Sequence, residues 1–275
     1  LNREFGTKND FSYCNAIMDS DMWILAGVVE MLAANNHRPD LVVIDSEDKE
    51  KLLDYVDIGT KLVESRMSYS NLVDFEGNPV KGLNFDLGSW DDHSGYKYSG
   101  YTGEQFPSGI PSNRGNNVGW DIAHFRRFVH SFDSLYKNRD VTGQSFPDRE
   151  VMKGLSNQLI YGVFNGDFEK PLFSNYMDGT NGWYRVNDSG FGYAPNDLSI
   201  YVVTGGYGFW SEYNPDMTKI TNSLWKMIES QELEIIEHRK EHYGSFYENF
   251  ERTEPTDFNT QDSIALLQFL PSLMK

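Results

Sequence analysis

The sequence predicts a mainly helical fold built from antiparallel helix hairpins, and two observations lead there. Apolar residues recur at helical spacing in six segments, which puts them on one face of an α-helix. The connections between those segments also differ sharply in length. Those near 36–47, 137–145 and 211–215 are short, whereas 1–18, 69–117, 167–197 and 243–259 are long. If consecutive helices run antiparallel, the long connections gather at one end of the molecule, and loops held by a rigid scaffold are where functional residues concentrate.

Each element has its own signal. Ser20 is placed to cap the first helix, which has apolar positions Trp23, Ala26, Val29, Leu32 and Ala33; Asn35, Asn36 and Pro39 end it. The second spans about 48–67 through Leu52, Leu53, Val56, Leu62 and Val63. The third follows Asn117 with Ile122, Phe125, Phe128, Val129, Phe132 and Leu135 at helical spacing. The fourth opens on a capping box of Ser145 and Asp148, with Pro147 in the first turn, and runs through Met152, Leu155, Leu159 and Phe164 to a stop at Gly166. Asn214 and Pro215 start a fifth, through Ile220, Leu224, Ile228 and Ile235, and a sixth follows Thr260 through Ile264, Leu267 and Leu270. Three stretches read as short strands instead: 41–44 and 198–204 as buried runs, and 83–87 by alternation. They make an α+β fold the alternative class.

Composition bounds the function. A chain of 275 residues with 39% hydrophobic residues and a mean hydropathy of −0.55 has globular composition, and it is long enough to bury a core without staples. It reads as a single domain over 1–275. No apolar run reaches the roughly 18 residues that a membrane span requires. Lys and Arg number 24 against 41 Asp and Glu, a net charge of −17, which repels phosphate backbones and anionic membranes; nucleic acid and membrane insertion are excluded as partners. The single cysteine, Cys14, excludes an intrachain disulfide. No leader is legible, and a periplasmic or extracellular location is an inference from function only.

The chemistry-bearing residues cluster in the long connections. Segment 82–104 holds Asp86, Trp90, Asp91, Asp92, His93, Tyr96, Tyr98, Tyr101 and Glu104. Aromatic faces stack on sugar rings, and carboxylates bind hydroxyls and supply acid and base. The alternatives are a solvated loop or a calcium site, since clustered Asp oxygens suit a hard cation. Asp121 and His124 are three apart at a helix start, next to Arg126 and Arg127, so they form a candidate base and proton shuttle. Trp183, Tyr184 and Arg185 follow in a Gly-rich stretch as a stacking platform. Tyr207 and Trp210 lie in 204–210, whose glycines lack the spacing of a phosphate loop. His238 and His242, with Glu241, match the H-x-x-E-H pattern of inverted zinc peptidases, in a charge-rich helix with Glu248, Glu251 and Glu254 as candidate third ligands.

Repeated helix pairs, acidic and aromatic loops, and the segments Gly119-Trp120-Asp121 and Gly205-Gly206-Tyr207-Gly208-Phe209-Trp210 resemble the α/α-toroid carbohydrate-active enzymes, both glycoside hydrolases and polysaccharide lyases. The resemblance implies a partial α/α toroid and a poly- or oligosaccharide substrate. As a hydrolase, two of Asp91, Asp92, Glu104 and Asp121 would act as acid and base or nucleophile, with His124 assisting. As a lyase, His93 or His124 and Tyr101 or Tyr207 would move protons while Arg126, Arg127 or Arg185 neutralised a uronate. The substrate-contacting set is Trp90, His93, Tyr96, Tyr101, Trp120, Arg127, Trp183, Tyr184, Arg185, Tyr207 and Trp210. The chain's own acidity favours the hydrolase, with no cofactor beyond a possible calcium. A non-catalytic glycan-binding protein would use the same aromatics and dispense with the carboxylates.

Overall fold

A computed structural model describes residues 17–87, 93–116, 118–186 and 192–243. Over these residues the protein is mainly helical with one two-stranded sheet. No helix among them is long and apolar enough to cross a membrane. The sixth helix expected after Thr260 lies outside the described residues, as do Trp90, Asp91, Asp92, Glu248, Glu251 and Glu254.

Helix α1 (Asp19–His37) buries Met22, Leu25, Val29, Leu32 and Ala33. Ser20 is not its cap. The helix starts two residues earlier than that cap would set, with Met18 at the N-cap position, and Asp21 Oδ2 accepts from the Met18 amide at 3.0 Å. Trp23, expected on the buried face, is 58% exposed. Helix α2 (Ser46–Ser65) begins two residues before the expected start, because the Asp45 carboxylate accepts from the Asp48 amide at 2.8 Å. The 41–44 run is no strand. Leu41 and Val43 point to solvent, and the Leu41 and Val42 amides donate to the Arg38 carbonyl in a turn.

Strands β1 (Met67–Val73) and β2 (Pro79–Phe85) pair antiparallel from Met67 opposite Phe85 to Val73 opposite Pro79. The alternation at 83–87 therefore falls largely within a true strand. Asp74 closes the hairpin by accepting from the amides of Glu76 and Asn78. Helix α3 (Ile122–Lys137) buries Ile122, Phe125, Phe128, Val129, Phe132 and Leu135, the expected stripe. It packs on α1, where Glu30 accepts from Ser134 and Asn138. Phe85, Trp120, Phe125, Phe128 and Phe132 form the aromatic centre of the core, with mostly edge-to-face contacts such as Phe85 to Phe128 at 5.4 Å.

A short helix, α4 (Arg139–Thr142), follows. Helix α5 (Arg149–Asn157) is capped by Asp148 alone, whose carboxylate accepts from the Val151 amide at 2.8 Å; Pro147 precedes it in a cis peptide. The helix continues as a π-helical turn, Gln158–Val163. The wider turn sends the buried Gln158 side chain between two elements: its Oε1 accepts from the Ser70 hydroxyl, and its Nε2 donates to the Met177 carbonyl at 2.8 Å.

The 198–204 run is also no strand. Leu198, Val202 and Val203 are buried, but the chain there forms helix α6 (Ile200–Thr204) against α3. A 3₁₀ turn, Tyr207–Glu212, leads to α7 (Asp216–Glu229), entered through Asn214, whose side-chain oxygen accepts from the Asp216 amide. The fifth helix does not run on to Ile235. Ser230 is extended, and α8 (Leu233–Tyr243) forms a separate element packed on α7.

Candidate functional site

Asp121 occupies the N-cap position of α3, where extended backbone lets its carboxylate turn back over the first turn. Its Oδ1 accepts from the His124 amide at 3.0 Å, and both carboxylate oxygens lie 2.9 Å from His124 Nδ1. The Tyr96 hydroxyl donates to Oδ2 at 2.8 Å. An ionised carboxylate only accepts, so Nδ1 carries the proton and Nε2 is left with its lone pair. Asp121 is completely buried. Burial pushes its carboxyl up, but the hydrogen bonds from His124 and Tyr96 outweigh this and hold it below the ordinary carboxylate value.

His124 opens into a cavity of about 120 Å³ lined by Ala123, Arg126, Arg127, Tyr184, Arg185, Tyr193, Leu198 and Tyr201. The Tyr184 hydroxyl lies 3.3 Å from His124 Nδ1, and Arg185 Nη2 lies 3.4 Å from Nε2. Burial and the Asp121 charge hold the Tyr184 hydroxyl well above its ordinary pKa, so it is a proton donor at neutral pH. The Tyr193 ring stacks on Tyr184 at 6.2 Å. The three arginines differ in their partners. Arg127 is ion-paired with Asp19 and lies over the Trp23 ring. Arg126 lies over the Tyr201 ring at 4.7 Å and reaches the Thr204 hydroxyl, and Arg185 lies over Tyr184; neither makes a salt bridge among the described residues. Arg185 also has a left-handed backbone, φ 53°, and a buried Nε without a hydrogen-bond partner among the described residues.

Three separated segments build this pocket through backbone bonds. Ile122 donates to Asn175, Met177 to Trp120, Trp183 to Tyr101 and Arg185 to Gly95. The chain near Gly182 passes so close to the Ser99 backbone that no Cβ would fit.

The structure therefore brings together Asp121, His124, Tyr96, Arg127, Tyr184 and Arg185. Other expected contacts need correction. Trp120, Trp183, Tyr207 and Trp210 are 5% exposed or less and line no part of the pocket, so they offer no face to a ligand there. Trp120 and Trp210 join the aromatic core, and the Tyr207 hydroxyl donates to the Ile122 carbonyl. Trp183 packs with Tyr98 and Val186, with Tyr101 against that cluster, and donates its indole N–H to Gly103. His93 caps the 3₁₀ turn Ser94–Tyr96 by accepting from the Gly95 amide, and Glu104 points to solvent. Of the expected carboxylates that are described, only Asp121 is at the pocket, and its oxygens are committed to Tyr96 and His124.

Of the calcium candidate, Asp91 and Asp92 lie outside the described residues. Asp86 pairs with Arg66 at 2.9 Å, and among the described residues no group of three or more His, Cys, Asp or Glu side chains converges. Tyr193 and Tyr201 were not singled out as contacts in the sequence. Tyr193 adjoins a noted Gly-rich stretch, whereas Tyr201 lay inside a run read as a strand.

Fold and site together define a mainly helical protein with a cationic, tyrosine-walled pocket around an Asp–His pair. No family model, curated protein or solved structure matches the chain.

Proposed function

We propose that this protein is a carbohydrate-active enzyme that cleaves uronate-containing glycans by β-elimination, the lyase alternative of the sequence reading. The observation that carries it is the placement of His124 Nε2, oriented by Asp121, in a pocket where Arg126 and Arg185 present positive charge without a carboxylate partner among the described residues. Such a pocket in a chain of net charge −17 is a local reversal of the field, the condition an anionic ligand needs. It also removes the argument from overall acidity that favoured a hydrolase.

The roles follow from the geometry. The guanidiniums of Arg126 and Arg185 pair with the sugar carboxylate and stabilise the charge that develops on it when the adjacent carbon loses its proton. His124 Nε2 takes that proton, and Asp121 stabilises the imidazolium that results. The electron pair forms the new C4–C5 double bond as the C4–O bond breaks. The Tyr184 hydroxyl returns a proton to the departing glycosidic oxygen. Tyr193 and Tyr201 supply ring faces for the sugar. The partial α/α toroid belongs to this proposal only as a scaffold that would set helix N-termini such as that of α3 around a cleft.

The test is incubation with a panel of polyuronates and neutral glucans. Ultraviolet absorbance from the unsaturated product, on polyuronates only, is the expected result. New reducing ends without that absorbance would mean hydrolysis. Saturable sugar binding without any product would mean a binding protein. Either outcome overturns the proposal.

A further inference from the structure

We propose that α8 carries a binding site for a divalent transition metal, with His238 and His242 as its protein ligands. The two side chains are one helical turn apart and share a face. Their rings lie side by side with centroids 5.0 Å apart. His238 Nε2 and His242 Nδ1 are both buried, and neither has a hydrogen-bond partner among the described residues. Buried polar atoms in native proteins are almost always paired, so two unpaired nitrogens on neighbouring rings call for a shared partner.

The other nitrogen of each ring decides what that partner is. His238 hydrogen-bonds the backbone of Pro171. Proline has only a carbonyl to offer, so the bond is a donation from His238 Nδ1–H, and Nε2 keeps its lone pair. His242 Nε2 faces the Glu241 carboxylate at 3.7 Å, so Nδ1 is the nitrogen turned away from that charge and toward His238. The two unpaired nitrogens can each offer a lone pair to one shared cation. A ring N–H held by a carbonyl or carboxylate, with the opposite nitrogen bare, is the arrangement that orients metal-ligating histidines.

Spacing agrees. A metal about 2.1 Å from each nitrogen, in the plane of each ring, would set the centroids about 5 Å apart at a tetrahedral angle. Imidazole ligands select zinc, copper or nickel over calcium or magnesium. The described residues contribute two ligands, so water completes the shell. This differs from the peptidase reading of H-x-x-E-H, in which Glu241 acts on a substrate. Here Glu241 orients His242, and α8 lines no part of the Arg126–Arg185 pocket.

The test titrates the full chain, stripped with chelator, with ZnCl2 and separately with NiCl2 by calorimetry, and records the visible spectrum with CoCl2. One saturable site per chain and a tetrahedral cobalt spectrum are expected. His242→Ala and His238→Ala should each weaken binding at least tenfold, whereas His130→Ala and His37→Ala should leave it unchanged. His242 is the more exposed of the pair, so its variant decides the matter if His238→Ala fails to fold. No saturable site, or one that survives His242→Ala, overturns the proposal.

Discussion

Both carboxylate oxygens of Asp121 lie 2.9 Å from His124 Nδ1, and the same carboxylate caps the helix that carries the histidine. One side chain therefore starts α3 and sets the tautomer of the candidate base. Asp121→Asn retains a capping oxygen but loses an acceptor for either His124 or Tyr96. Turnover should fall by about 10²–10⁴, and stability by about 1–3 kcal/mol as a buried donor is left unpaired. Steady-state kinetics and urea unfolding measure the two effects.

The same residue sets an acid limit. Its native pKa lies below the unfolded value near 3.9. Its contribution to stability is therefore full above that value and is lost as pH falls through the native pKa. Unfolding free energy measured down the acid limb should decline for the wild type, and more gently for Asp121→Asn.

Tyr184 is assigned to proton donation, so Tyr184→Phe should lower kcat by about 10²–10⁴ while KM changes little. The ring packing is kept, and stability should stay within about 1 kcal/mol of wild type. A fall in affinity with kcat preserved would instead make Tyr184 a binding residue.

Arg185 combines a charge in the pocket with a left-handed backbone. Arg185→Gly relieves roughly 1–3 kcal/mol of backbone strain, offset by about 0.5–1 kcal/mol of added freedom in the unfolded chain. Stability should hold or rise while affinity for an acidic oligosaccharide drops at least tenfold. The binding that remains should depend less on salt, since one charge of the pocket is gone. Calorimetry at two ionic strengths reads both.

Gly182 stands where the 181–186 loop presses on Ser99. Gly182→Ala should cost about 2–4 kcal/mol, because the obstacle is backbone and cannot rotate away. The loss of activity should exceed what instability explains, since Tyr184 and Arg185 follow in the same loop. Crystallography or amide exchange on the variant would locate the displacement.

The legible parts of this protein were those that depend on neighbours in the chain. The Phe125–Phe132 stripe of α3 was readable because its period is that of a helix. The Asp121–His124 pair was readable because three residues make one helical step. Trp120, Trp183 and Trp210 were misread as ligand platforms because aromatic residues in Gly-rich segments look the same whether they face a cavity or a core. Run 198–204 was misread because buried Ile and Val suit either a strand or a helix when no partner strand is known. Tyr201 became visible as a wall of the pocket only once that run was seen as helix.

The sequence alone determined the helical class and the apolar stripe of α3, and its charge of −17 disfavours a polyanionic partner, since periodicity and net charge are local or additive quantities. Only the tertiary structure decided that Tyr96, His124, Tyr184 and Arg185 meet. It also decided that the pocket is cationic within an acidic chain. Those facts depend on contacts between segments about 25 to 90 residues apart, and burial and the local field at a site are set by which distant segments pack there.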